Sequence, residues 1–157
     1  MASCSAANPR DYVEDSLQTL RESGARVTAT RTAVLECLGS AKRPLSARDI
    51  LERIQASPEM PKIDQASVYR IIETLLELGL VHKVFPSGHF MACRHSSCGE
   101  KLHLLAHCTK CDASLELGVP EQLTAPMSWY LTQQLGFLPT DHLFQVTGLC
   151  PTCKSSE

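Results

Sequence analysis

Cysteine and histidine are the residues of this 157-residue chain best suited to chemistry, and they are unevenly placed. Cys4 and Cys37 lie in the first half, whereas Cys93, Cys98, Cys108, Cys111, Cys150 and Cys153 crowd the second, together with His89, His95, His103, His107 and His142. Two C-x-x-C pairs, Cys108-Thr-Lys-Cys111 and Cys150-Pro-Thr-Cys153, are separated by 38 residues. Each pair places two thiolates on one face of a tight turn, and two such knuckles complete a tetrahedral Zn(Cys)4 site with no open position for substrate. A thioredoxin-like redox role for one pair needs a βαβ context and leaves the other pair unexplained. A nucleobase deaminase also uses a C-x-x-C, but it requires an H-x-E motif, and the sequence contains none. No pairing of nucleophile and base emerges either, so neither an enzyme nor a small-molecule substrate is expected.

Composition places these residues in a folded chain. Hydrophobic residues at 43% and charged residues at 20% are ordinary globular values. No apolar run approaches the roughly 20 residues needed to span a bilayer. Residues Met1 to Arg10 lack the basic start and apolar centre of a secretory signal, and many cysteines without such a signal suit a reducing compartment, so a cytoplasmic location is expected. The net charge of -2 argues against nonspecific coating of nucleic acid. A local basic stretch nevertheless runs through Arg21, Arg26, Arg31, Lys42, Arg43 and Arg48 with only Glu22 and Glu36 between. By itself it fits a solvated helical face as well as a contact surface.

Four helical patterns precede residue 80. Val13, Leu17 and Leu20 share a helical face that Gly24 would end, and Thr28 can cap a second helix bearing Val34, Leu35 and Leu38 before Gly39. Ser46 with Asp49 resembles a capping box ahead of Ile50, Leu51 and Ile54. Asp64 is an N-cap for a fourth helix with the stripe Val68, Ile71, Ile72, Leu75 and Leu76, and Gly79 supplies its stop. Leu80 to Phe85, the turn Pro86-Ser87-Gly88 and His89 to Cys93 then read as a β-hairpin. Helices followed by a hairpin spell a winged helix, with the fourth helix as recognition helix and Gln65, Ser67, Tyr69 and Arg70 on or near its polar side. Arg70 suits a guanine edge or a phosphate, whereas Tyr69 fits a base contact or a rim aromatic equally.

Arg26-Val27-Thr28-x-x-Arg31, Ser46-Ala47-x-Asp49-Ile50, Ser67-Val68-Tyr69-Arg70 and the two C-x-x-C pairs, in that order, resemble the ferric uptake regulator family of bacterial metal-dependent repressors. The resemblance implies an α+β chain: an N-terminal winged helix-turn-helix domain over residues 1–83, a wing strand and hinge over 84–96, and a C-terminal α/β dimerisation domain over 97–157 that holds the structural Cys4 zinc. It also implies a regulatory metal site at the hinge, DNA contacts by Tyr69 and Arg70, Arg26 near the minor groove and Arg31 on a phosphate.

The chain departs from iron sensors of that family, which typically place a histidine before the third helix where Lys42-Arg43-Pro44-Leu45 stands here. It also has Leu149 in place of a histidine often seen before the second C-x-x-C, and only His103 and His107 lead into the first. The remaining set, His82, Cys93, His103 and Glu116, resembles the sensor site of zinc uptake regulators. Two imidazoles, a thiolate and a carboxylate suit tetrahedral Zn2+, and a thiolate is disfavoured for a hard ferrous sensor. Taken singly, His82 also fits a surface strand position, Cys93 a small core residue and Glu116 a solvated charge.

His95-Ser96-Ser97-Cys98 reads as a polar turn or a further metal site; His89, His107 and His142 as surface or partly buried residues, any of which could replace His103; and Cys4 and Cys37 as without function. Ala113 to Leu117 and Leu143 to Val146 read as strands around a helix from about Glu121 to Gln134 that Pro126 should kink or delay. Met127, Trp129, Tyr130 and Leu131 of that helix fit a dimer core or packing within one subunit. The expected function is a homodimeric, zinc-sensing repressor of metal-uptake genes on an AT-rich, palindromic double-stranded DNA operator. Alternatives are an iron- or peroxide-responsive regulator of the same family and a zinc-ribbon protein-interaction module.

Overall fold

The computed structural model describes residues 9–93, 102–139 and 143–155, which fall into two compact units, 9–93 and the remainder. His95, Cys98, Cys4 and His142 lie outside the described residues.

In the first unit the chain runs α1 (Pro9–Glu22), α2 (Ala29–Ser40), α3 (Ala47–Gln55), α4 (Gln65–Glu77), β1 (Val81–Val84) and β2 (His89–Ala92). The helix starts are chemical. Thr28 accepts from Arg31 N–H, Ser46 and Asp49 form a reciprocal capping box, and Asp64 accepts from Ser67 N–H at 2.7 Å, each filling donors that the first helical turn leaves open. Serving as caps holds the Asp49 and Asp64 carboxyls below the usual carboxylate range, chiefly through hydrogen bonds from Ser46 and Ser67 respectively. Leu20, Leu35, Leu38, Ile50, Ile54, Val68, Ile72 and Leu75 bury in one core.

Two local expectations shift. The buried face of α1 is Tyr12, Ser16 and Leu20, with Val13 and Leu17 only partly covered. Gly39 does not end α2, which continues to Ser40; it is buried in the helix because a Cβ there would lie 2.8 Å from Cδ1 of Tyr12. The glycine is a contact, not a stop. β1 and β2 pair antiparallel with Val81 opposite Ala92 and Val84 opposite His89. Leu45 and Phe90 exchange backbone hydrogen bonds of 2.9 and 2.7 Å, tying the hairpin to the segment before α3. This is a winged helix.

The second unit holds β3 (His103–Cys108), β4 (Ser114–Gly118), α5 (Glu121–Trp129), a wider π-helical turn (Tyr130–Gln134), β5 (Leu143–Gly148) and α6 (Pro151–Lys154). The sheet order is β4-β3-β5, with β3 antiparallel to β4 and parallel to β5. The central strand β3 and the short α6 are elements that the sequence reading left unassigned. Pro126 lies inside α5 and neither delays its start nor ends it; the helix instead widens after Trp129, where Leu135 N–H reaches back five residues to the Tyr130 carbonyl at 3.2 Å.

Register sorts this sheet into two unlike faces. Leu104 pairs with Leu117 and Phe144, and Ala106 with Leu115 and Val146, so one face is wholly apolar. Leu115, Leu117, Phe144 and Val146 on it are exposed. The other face carries His103, Leu105 and His107 of β3 with Ser114 and Glu116 of β4.

Candidate metal centre

The four-cysteine group belongs to the second unit. Cys108 ends β3, Cys111 sits in the turn leading to β4, and Cys150 is the N-cap of α6, which carries Cys153. The turn closes on itself through Asp112 N–H to the Cys108 carbonyl at 3.0 Å and Cys108 N–H to the Ala113 carbonyl at 2.8 Å. Asp112 adopts a positive φ of 57° there, a conformation that Asp tolerates better than most side chains. Thr109 N–H donates to the Gly148 carbonyl at 2.9 Å and brings the second knuckle alongside.

All four sulfurs lie within 4.8 Å of one another. Cys111 Sγ and Cys150 Sγ are 3.8 Å apart, which is about the spacing of two sulfurs on a tetrahedral ion with metal–sulfur bonds of about 2.3 Å. Cys150 N–H donates to Cys108 Sγ at 3.3 Å. Backbone N–H groups of Cys150, Cys111 and Lys110 lower the Cys108 thiol to about 6, whereas Cys153, hydrogen-bonded to Cys150 and set among the other sulfurs, is pushed up to about 12. One thiolate is thus prepared by the backbone, while complete ionisation of the group calls for a cation. The residues fit structural zinc, and the site has no position left for catalysis.

A second set of donors is divided between the units. In the first, His82 on β1 and Cys93 just beyond β2 are buried, and a ring nitrogen of His82 lies within 4.8 Å of Cys93 Sγ. Cys93 is set there by its N–H, which donates to the Leu80 carbonyl at 3.0 Å. In the second unit, His103 opens β3 and Glu116 stands opposite Leu105, so the two share a face as diagonal neighbours. His103 Nδ1 and Glu116 Oε1 are 3.3 Å apart, with side chains only 1% and 3% exposed. Each unit therefore brings together two of the predicted ligands.

His107 has other partners: its Nδ1 meets Ser114 Oγ at 2.9 Å and its Nε2 lies 3.8 Å from Asp112 Oδ1, so it braces the first cysteine knuckle. His89 sits half-buried on β2, and Cys37 is buried in α2. Desolvation pushes the Cys37 thiol up, as expected of a core residue.

On α4, Gln65, Tyr69 and Arg70 are exposed and Ser67 is half-buried. The Arg70 Nε donates back to the Ala66 carbonyl at 3.4 Å. Arg26 is exposed, while Arg31 is half-covered and its Nη1 donates to the Arg26 carbonyl, closing the loop ahead of α2. All six sit in the winged-helix unit. The Tyr12 hydroxyl, which donates to the same Leu80 carbonyl that Cys93 N–H reaches, carries no signal in the sequence pattern, because that contact spans 68 residues.

The ferric uptake regulator family model matches residues 22–136. The transcriptional regulator FurA of Mycobacterium bovis is 30% identical over 149 residues, covering 92% of this chain and 94% of its own. The peroxide-responsive repressor PerR of Staphylococcus saprophyticus is 27% identical over 143 residues, covering 90% and 91%. Among solved structures, holo XcZur is similar with a TM-score of 0.73 at 27% identity, over 95% of this chain and 99% of that one. A zinc uptake regulator complexed with zinc and DNA shares the fold with a TM-score of 0.77 at 22% identity, over 96% and 97%. With more than half its length matched by the family model, this chain belongs to the ferric uptake regulator family and is a metal-responsive transcriptional regulator rather than an enzyme.

Proposed function

We propose that the chain is a cytoplasmic, homodimeric, zinc-sensing repressor of metal-uptake genes, and that His82, Cys93, His103 and Glu116 are the four ligands of its sensing ion. The observation that carries this reading is the donor chemistry of two buried pairs, His82 with Cys93 and His103 with Glu116. Two imidazoles, one thiolate and one carboxylate make a complete tetrahedral set for Zn2+, and the thiolate disfavours a hard, redox-cycling ferrous ion. The similarity to holo XcZur supports zinc as well. When bound, zinc supplies a fixed tetrahedral link between side chains and no redox chemistry.

The four ligands would act as a clasp. His82 and Cys93 belong to the wing side, His103 and Glu116 to the dimerisation unit, so shared ligation restricts the separations that the two winged-helix arms of a dimer sample. A palindromic, AT-rich operator presents two half-sites at one fixed spacing, and restriction removes ordering cost from binding it. Gln65, Ser67, Tyr69 and Arg70 on α4 would meet the major groove, Arg26 the minor groove and Arg31 a phosphate. The apolar face of Leu115, Leu117, Phe144 and Val146 supplies a surface for the second subunit.

The relatives named for peroxide sensing make an iron- or peroxide-responsive regulator the competing outcome. Binding of operator-selected DNA, followed by fluorescence anisotropy with free Zn2+ and Fe2+ each buffered over a wide range, separates the two. Activation by zinc alone supports the proposal. Activation by iron replaces it.

A further inference from the structure

Leu80 is a junction in the first unit. α4 ends in a Schellman cap, with Gly79 at φ 67°, Gly79 N–H donating to the Leu76 carbonyl at 3.0 Å and Leu80 N–H to the Leu75 carbonyl at 2.9 Å. The carbonyl of the same Leu80 accepts twice, from Cys93 N–H at 3.0 Å and from the Tyr12 hydroxyl at 3.0 Å. One buried residue, Leu80, therefore ties the C-terminal end of α4 through its N–H to the backbone of Cys93 and the side chain of Tyr12 through its carbonyl, while His82 follows two residues further along the chain, on β1.

Tyr12 is itself held. It is 1% exposed, and its ring lies against Gly39 of α2 so closely that a Cβ there would clash. The hydroxyl is thereby aimed at a carbonyl 68 residues away. Cys93 follows the last ladder pair of the hairpin, Val81 opposite Ala92, and the bond from its N–H to Leu80 extends the ladder by one step. A carbonyl fixed by a second donor holds that step in a single position.

We propose that Tyr12 is a positioning residue for metal sensing: its hydroxyl fixes the Leu80 carbonyl from which Cys93 is suspended, presetting the His82 and Cys93 half-site and coupling its occupation to the end of α4. The proposal rests on the reading of His82 and Cys93 as ligands. Outer partners of metal ligands commonly contribute tenfold or more in affinity, and one acting through a backbone bond belongs at the low end.

The test titrates Co2+ into the full chain, prepared with its four-cysteine site already filled by zinc, and follows the sulfur-to-cobalt charge-transfer band. Tyr12→Phe keeps the ring and removes only the hydroxyl. Its expected result is a Co2+ affinity at the sensing site weakened by about three- to tenfold, with retention of the structural zinc unchanged. Ile54→Val, a truncation elsewhere in the same core, is expected to leave the Co2+ affinity unchanged. Equal losses in Tyr12→Phe and Ile54→Val, or loss of structural zinc in Tyr12→Phe, would show a general stability effect and overturn the proposal. Cys93→Ser separates the two levels. If it keeps the charge-transfer band, the sensing assignment fails; if it loses the band while Tyr12→Phe matches the parent chain, only the positioning role fails.

Discussion

His103 Nδ1 and Glu116 Oε1 stand 3.3 Å apart on one face of the β3–β4 pair, with both side chains almost completely buried. Carboxylates and imidazoles are rarely buried without strong partners, because desolvation opposes their charged forms. In the proposed site both groups would ligate one cation, the setting in which a buried carboxylate keeps its charge. Glu116→Ala is expected to leave a folded dimer that retains its structural zinc but needs more free zinc for operator binding, by at least the roughly 10-fold that loss of an outer partner already causes. Anisotropy titrations at buffered zinc measure this, and an unchanged zinc requirement would remove Glu116 from the site.

The four-cysteine group predicts a different phenotype. Cys108→Ser removes the thiol that the backbone holds at about 6, and loss of zinc should unfold the second unit and with it the dimer. Zinc competes with protons for these sulfurs, so retention against a chelator should fall as pH drops through the neutral range, where the raised Cys111 and Cys153 thiols are protonated when zinc leaves, and more steeply below about 6, where Cys108 becomes protonated as well. Zinc release that is independent of pH, or a stable and zinc-free Cys108→Ser dimer, would contradict the assignment.

Arg70 is exposed on α4 and turned along the helix toward the Ala66 carbonyl. Arg70→Ala is expected to weaken operator binding by about 1 to 3 kcal/mol if the guanidinium makes a bidentate base contact, with relaxed sequence preference at one position of each half-site. A loss shared equally by all DNA sequences, with a shallower salt dependence, would assign it to a phosphate instead.

The apolar face of the second sheet predicts an interface. Leu117 lies on β4 opposite Leu104 on that face and is 43% exposed. Leu117→Asp should shift sedimentation equilibrium toward the monomer and abolish tight operator binding, because a buried, unpaired carboxylate opposes association. An unaltered dimer would place the interface elsewhere.

The first unit was legible because its helix starts are written in local chemistry. Thr28, Ser46 with Asp49, and Asp64 each cap the helix that the sequence assigned to them. Gly39 misled because glycine serves both to end helices and to admit a close neighbour, and only the tertiary position of the Tyr12 ring distinguishes these uses. The face of α1 was offset because Ser16 is polar yet fully buried. β3 escaped periodicity for a related reason. His103, His107 and Cys108 occupy buried positions normally filled by apolar residues, so the strand shows no alternation of apolar and polar types. The four-cysteine set was readable from spacing alone, whereas His82, Cys93, His103 and Glu116 come from separate elements and were reached through resemblance. The bond from Tyr12 to Leu80 left no trace in any local pattern.

If ligation and operator binding form one coupled event, as proposed, linkage makes the coupling measurable from the metal side. Zinc affinity of the sensing site should be determined with and without saturating operator duplex. DNA is expected to tighten zinc by the same factor by which zinc tightens DNA, typically about 1 to 3 kcal/mol of coupling, and Cys93→Ser to abolish both. Zinc affinity that is indifferent to the operator, or coupling that survives in Cys93→Ser, would contradict the proposal.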